Sequence, residues 1–336
     1  MTLLLLMLLG AVLLGPFIWS FAERQLEVYL FVLGCVAVFA ANSWNIELFH
    51  TVMTDPLGIT LAVFLAGCLF RIFQKSFNET IAFADRLIPS RLFVALIVIC
   101  IGLVSSIITA IIAAILLVSI ISVLNFDRRT QIRLVILSCY SIGLGAVLTP
   151  LGEPLSTIAT SRLNESFFYL FNLLGSDVII AIFALGILAG LVISPHPHKR
   201  NKKKISQRET WNAIITRSLK VYLFVMALTL LGSGFEPLLS PLLEGKSPAF
   251  LYWANTISAV LDNATLASIE ISPSMDESTI RAILMGLLIS GGMLIPGNIP
   301  NIIAAGKLSI TSKEWARFGF PFGLLVMVIY FFVFVI

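Results

Sequence analysis

Asp262, Asn263 and Thr265 place a carboxylate, an amide and a hydroxyl side by side, one turn after Ser258, within the otherwise apolar stretch SAVLDNATLASIEIS. Farther on, Asn298 and Asn301 punctuate GGMLIPGNIPN, which begins at Gly291. An earlier counterpart exists. Ser105, Ser106 and Thr109 lie in an uncharged run, and Thr149, Glu153 and Ser156 lie in GAVLTPLGEPLSTIATSRL, which begins at Gly145. A carboxylate surrounded by neutral oxygens can hold either a proton or a dehydrated cation. Loss of water favours the protonated acid, whereas a bound cation favours the ionised one, so the two compete for one place. Asp262 and Glu153 are the acids embedded in these stretches, and they are the expected sodium ligands. The alternative for Asp262 is a helix cap, and for Glu153 a hydrated loop.

The composition says where such groups must sit. With 58% hydrophobic residues, 12% charged residues and a mean hydropathy of +1.00, the 336-residue chain is far more apolar than a globular domain. At roughly 20 residues per crossing plus loops, it accommodates about ten membrane segments. An ionisable group inside such a segment is a functional-site hypothesis by default. The four cysteines, Cys35, Cys68, Cys100 and Cys139, fall in apolar runs without paired spacing, which argues against metal binding or disulfides. Met1–Ser20 lacks a basic leader, and its apolar run is long, so a retained first helix is expected.

Taken in order, Thr2–Phe21 and Val28–Ala41 read as spans, Asn42–Pro56 as an interface or pore-side loop, and Leu57–Phe70 as a further span. Phe77, Ile81, Ala84 and Leu87 have the spacing of an amphipathic surface helix. Residues 91–124 exceed one untilted span. They read either as a re-entrant hairpin folded at Ser105–Thr109 or as one long tilted helix. The glycines and prolines of residues 132–161 make a continuous helix implausible, so a broken one is expected. Phe167–Leu174 reads as interfacial or a short span, and Val178–Ile193 as a crossing. Residues 196–210 hold a dense run of Lys and Arg with His196 and His198, which places that loop in the cytoplasm. After Val221–Leu231, Gly232, Gly234, Pro237 and Pro241 are expected to loosen the chain. A second hairpin over 248–272, a second broken helix over 277–308 and a last helix from Trp315 complete it.

Aligning the stretches from Gly145 and Gly291 brings Pro150 onto Pro296 and Pro154 onto Pro300 without a gap, with Arg162 and Lys307 close behind. Arg133 falls near Arg281. Residues 1–195 and 211–336 thus form two halves, each with a hairpin and a broken helix. Interrupted helices in corresponding positions point to a secondary transporter whose site lies between the repeats.

The S-x-x-x-D-N-A-T tip at Ser258–Thr265 and the G-G-x-x-x-P-G-N-x-P-N break at Gly291–Asn301 resemble the ion transporter superfamily, which includes sodium/proton antiporters of the NhaD type, arsenite permeases and divalent-anion/sodium symporters. The resemblance covers about two thirds of the chain, from Arg91 onward. It implies an all-α fold of two inverted repeats whose hairpins and unwound helices meet near the membrane centre, and a homodimer formed through the N-terminal helices. The chain departs from that pattern at Ser105, Ser106 and Thr109, which replace an Asn-containing tip, and at Glu153, which stands near the position of Asn298.

The reading that follows is a compact cation-antiporter-like branch, resident in a prokaryotic cytoplasmic membrane. It would carry sodium and protons, need no cofactor and perform no catalysis. The competing substrate is an anion, a dicarboxylate or an arsenite-like species, attracted by half-helix N-termini and by Arg133, Arg162, Arg281 and Lys307. Snorkelling to headgroups is the ordinary explanation of those cations, and two central acids would repel an anion travelling without sodium.

Overall fold

The computed structural model describes residues 2–19, 21–22, 25–124, 126–193, 210–243, 245–261 and 263–335, and among them the regular structure is helical, without a strand. Among the described residues five helices are long and apolar enough to cross a bilayer: Ile46–Leu65, Ser90–Ile108, Tyr169–Val192, Trp211–Leu239 and Ser312–Val333. Leu61, Leu65, Ile107, Ile180, Ile187, Leu191, Leu325 and Val333 point outward from them. Such a belt is an aggregation liability in water and costs nothing in hydrocarbon. The protein is an all-α integral membrane protein. The basic loop 196–209, with His196 and His198, lies outside the described residues, as does Asp262.

The N-terminal part comprises α1 (Thr2–Ile18), α2 (Leu26–Ala41) and α3 (Ile46–Leu87). The expected loop over Asn42–Pro56 is corrected by α3. Asn42 closes α2 in the left-handed conformation, and Asn45 Oδ1 accepts from the Leu48 N–H at 2.7 Å, which starts α3 at once. Pro56 is carried inside the helix, and the surface helix expected at 77–87 is its continuation.

The middle of the chain supplies α4 (Ser90–Ile108), α5 (Ala110–Val123), α6 (Arg128–Ala146), α7 (Pro154–Leu163) and α8 (Tyr169–Val192). A single residue, Thr109 at φ 73°, separates α4 from α5, so this stretch is not one continuous tilted helix. The two pieces expected over 167–193 are one helix, α8.

The rest is α9 (Trp211–Leu243), α10 (Pro248–Ala254) running into a 3₁₀ turn (Asn255–Ala259), α11 (Asn263–Glu270), α12 (Glu277–Gly291), a 3₁₀ turn (Ile295–Gly297), α13 (Ile299–Leu308) and α14 (Ser312–Tyr330). The loosening expected at Gly232–Pro241 does not occur, because α9 is continuous. Its glycines serve packing instead. A β-carbon on Gly234 would meet Ala37 Cβ at 2.6 Å, and one on Gly34 would meet Leu230 Cβ at 2.8 Å, so α2 and α9 lie backbone to backbone.

Contacts cross between the two stretches. Helix α5 packs on α13, α11 packs on α7, and α6 packs on α12. Each interrupted helix therefore has the other stretch's short helices as neighbours; the second interruption is buried throughout, and of the first Gly152 and Glu153 are buried while Leu151 is exposed.

Candidate functional site

The first interruption follows α6. The Leu148 N–H donates to Gly145 O and the Gly152 N–H to Thr149 O, forming a turn instead of helix. Pro154 restarts the chain at the first position of α7, where its missing N–H costs nothing. Glu153 is the N-cap of α7, in extended backbone at φ −158° and ψ 163°, and is 6% exposed. A hydrated loop at Glu153 is thereby excluded. Ser156 Oγ donates to Thr149 O at 2.8 Å and to Glu153 O at 2.7 Å, locking the turn onto α7.

The junction of α4 and α5 is stitched to this turn. Thr149 Oγ1 donates to Ser106 O at 2.5 Å, and the Ala110 N–H donates to Gly152 O at 2.8 Å. Thr109 Oγ1 caps α5 by accepting from the Ile112 N–H. Ser105 Oγ donates to Gly102 O at 2.6 Å and lies 2.9 Å from Ile142 O, while Ser106 Oγ donates to Leu103 O. The hydroxyl protons of Ser105, Ser106, Thr149 and Ser156 are all committed to backbone carbonyls, so these groups have only lone pairs left for a ligand.

The second interruption has the same plan with different chemistry. Asn298 is the N-cap of α13, again extended at φ −154° and ψ 146°, and is 6% exposed. Both α7 and α13 are ten residues long, carry a basic residue in the last turn (Arg162, Lys307) and end on a left-handed residue (Asn164, Ser309). Asn301, fully buried, donates through Nδ2 to Gly291 O at 2.8 Å and to Leu294 O at 2.9 Å, bridging the break. This stretch retains unmet polar atoms. Ser258 Oγ, Asn263 Nδ2 and Asn301 Oδ1 are buried with no hydrogen-bond partner among the described residues.

The residues that carry these atoms adjoin two glycines, Ser258 through its backbone carbonyl, Asn263 through Nδ2 and Asn301 through its bond to Gly291 O. A β-carbon on Gly297 would sit 2.7 Å from Ser258 O and 2.6 Å from Gly291 O, and one on Gly291 would lie 3.8 Å from Asn263 Nδ2. Thr265 falls in the first turn of α11, where its side chain is not among those described. Asn298 reaches the helix that leads into the first interruption: its Nδ2 would be 3.0 Å from a β-carbon on Gly143 in α6. A small apolar crevice lined by Val12, Pro16, Val260, Leu294, Ile295, Pro296 and Ser312 opens beside the second break.

Two constellations escape the sequence reading. Glu270, 5% exposed, accepts from Asn255 Nδ2 at 2.9 Å, linking the end of α11 to the 3₁₀ turn after α10, and Asn255 is itself fully buried. A charged residue in an apolar run was the available signal, and it applies to Glu270 as well as to Asp262. Asp177, 7% exposed, accepts from Tyr330 OH at 2.8 Å and from Ser176 Oγ, and lies 3.5 Å from Arg281 Nη1. Arg281 also donates to Leu173 O, so the snorkelling explanation is corrected for this residue: its guanidinium is held by protein.

Among the described residues no three His, Cys, Asp or Glu side chains converge on a common point. Carboxyl, amide, hydroxyl and carbonyl oxygens are what the interruptions offer, which suits a hard cation and not a soft one.

A family model described as "Protein of unknown function (DUF1646)" matches residues 1–336, and the chain belongs to that family. No curated protein matches it.

Proposed function

We propose that this member of the family exchanges a monovalent cation, sodium in the first instance, for protons by alternating access. In this reading the chain forms about ten membrane segments in two inverted halves. Hairpins 91–124 and 248–272 and broken helices 132–161 and 277–308 face a common site, the loop 196–210 is cytoplasmic, and two copies associate through the N-terminal helices.

The observation that carries the reading is the burial of Glu153 at the restart of an interrupted helix, beside a second interruption rich in uncommitted polar atoms. An anion substrate fits less well. The positive N-terminal end of α7 already has a carboxylate at its cap, and the α13 cap is a neutral amide. Glu153 and Asp262 supply the negative charge. Asn263, Thr265, Asn298, Asn301 and Ser258 from one half, with Ser105, Ser106, Thr109, Thr149 and Ser156 from the other, supply neutral oxygens and shape. No cofactor and no catalytic residue is required.

The experiment is proteoliposome exchange, with an interior pH indicator and sodium, lithium or potassium added outside. Cation-driven pH changes that disappear in Glu153→Gln and Asp262→Asn support the reading. No response to any cation, together with uptake of a dicarboxylate or arsenite, would falsify it.

A further inference from the structure

The second hairpin contains a buried polar pair that the site above does not use. Glu270 ends α11, and Asn255 begins the 3₁₀ turn of the opposing arm. One carboxyl oxygen of Glu270 takes a hydrogen bond from Asn255 Nδ2 at 2.9 Å. The other, Oε1, and the carbonyl oxygen of the Asn255 side chain, Oδ1, are both buried without a hydrogen-bond partner among the described residues. Asn255 is anchored besides: Ser290 Oγ donates to its backbone carbonyl at 2.6 Å, and its Nδ2 reaches Ile283 O at 3.4 Å.

Two unmet acceptors on adjoining side chains lack one thing, a hydrogen to share. Among the described side chains no cation stands in for it. Helices α7, α9 and α12 pack against α11; their charged groups are Arg162, Glu236, Lys220, Glu277 and Arg281, besides Arg217 on α9, whose side chain lies outside the described ones. Arg162 on α7, Glu236 on α9 and Glu277 on α12 are exposed. Lys220 on α9 pairs with Glu27, and Arg281 on α12 with Asp177. Glu153, the cap of α7, is the other buried carboxyl on these elements, and Tyr252 on α10 donates its hydroxyl to Met327 O. No ion pair of Glu270 occurs among the described residues. An ionised carboxylate buried in this way carries an uncompensated desolvation cost that a single proton removes.

We propose that Glu270, held by Asn255, is a proton-binding site in the second hairpin, distinct from the cation site at the interruptions. Uptake of one proton at Oε1 converts the carboxylate to a carboxylic acid and turns an unmet acceptor into a donor; release returns the proton to water. Glu270 is then uncharged when loaded and charged when empty, which gives the exchange a proton-bearing group besides Glu153 and Asp262. This role in exchange rests on the antiport reading, whereas proton binding at Glu270 does not.

The test is infrared difference spectroscopy of the purified full-length protein across a pH titration, alongside binding of radioactive sodium. A carboxylic-acid carbonyl band present at neutral pH, lost in Glu270→Gln, shifted in frequency in Asn255→Ala and retained at a new frequency in Glu270→Asp, is the expected result. Glu270→Gln keeps the volume and the acceptor for Asn255, and a monodisperse elution profile verifies its fold. Sodium binding within about twofold of the parent in Glu270→Gln, with proton release on sodium addition reduced, supports the coupling role. An unchanged carbonyl band in Glu270→Gln overturns the proposal. If the parent protein binds no sodium but the Glu270 band is present, the antiport reading fails and the proton site stands.

Discussion

Nδ2 of Asn298 lies where a β-carbon on Gly143 would approach it to 3.0 Å, so the capping amide of the second interruption rests directly against helix α6 of the first. The contact is tight but the amide is a side-chain end that can give way. Gly143→Ala is expected to fold, with cation exchange reduced severalfold as Asn298 is displaced by a few tenths of an ångström. Gly145→Ala is the contrast, since its β-carbon would meet the Gly102 carbonyl oxygen at 1.8 Å, backbone against backbone. Overpacking of that kind costs at least about 1–3 kcal/mol. Gly145→Ala should give little monodisperse protein by size-exclusion chromatography, while Gly143→Ala should match the parent.

Asn301 holds the second break closed with two hydrogen bonds from one amide. Asn301→Ala strands the carbonyl of Gly291 in a buried setting, at about 1–3 kcal/mol, and leaves Leu294 O only the longer bond from the Gly297 N–H. Asn301→Asp should be at least as damaging, because an acceptor then faces both carbonyls. Thermal unfolding of the detergent-solubilised protein checks this: both variants should melt several degrees below the parent, and an unshifted melt for either would show that the bridge is dispensable.

Asp177 is the meeting point of three helices, with Tyr330 from α14 at 2.8 Å and Arg281 from α12 at 3.5 Å. Removing the hydroxyl in Tyr330→Phe should cost about 1–3 kcal/mol, the range for leaving a buried acceptor without its partner. Asp177→Asn in the Tyr330→Phe background should cost less than the sum of the two single changes, since they share one interaction. Additive losses in a double-mutant cycle would show that Tyr330 and Asp177 are energetically independent.

The carboxyls of Asp127 and Asp276, just ahead of α6 and α12, are held below the ordinary aspartate value of 3.8, the first by Thr130 and the second by Ser278 and Thr279. A lowered folded-state value means that the stabilisation is complete above the ordinary value and is lost as pH falls through the lowered one. Acid titration of the melting temperature should therefore show a decline beginning below about pH 4. In Asp127→Asn the acid-dependent part of the decline due to that cap should be absent.

How far the sequence revealed this arrangement depends on the kind of signal. The prolines and glycines at 143–154 and 291–300 marked both interruptions within a few residues, because Pro154 and Pro300 each sit in the first turn of the helix that follows. Glycine and proline misled at 232–241, where α9 stays continuous and Gly234 serves a helix crossing that only the three-dimensional partner, Ala37, makes visible. The polar and aromatic mixture misled at Asn42–Pro56, since the short Asn42–Asn45 turn depends on a left-handed asparagine and a side-chain cap rather than on composition. Ser105, Ser106 and Ser156 were legible as buried hydroxyls, but their commitment to carbonyls is a tertiary fact. Glu270 and Asp177 went unread although each is an acid beside apolar residues, since their partners Asn255 and Tyr330 are 15 and 153 residues away in the chain.

Thr149 Oγ1 reaches Ser106 O at 2.5 Å and is the one side-chain bond described from the first interruption to the hairpin beside it. The neighbouring link, from the Ala110 N–H to Gly152 O, uses backbone alone and survives any side-chain change. Thr149→Val keeps the shape and removes the donor, leaving Ser106 O without this partner at a cost of about 1 kcal/mol. If the hairpin and the interruption move together during exchange, Thr149→Val should slow cation-driven pH change in proteoliposomes severalfold, while Thr149→Ser, which retains the hydroxyl, should remain close to the parent. Equal rates in parent, Val and Ser forms would show that this tie plays no part in exchange.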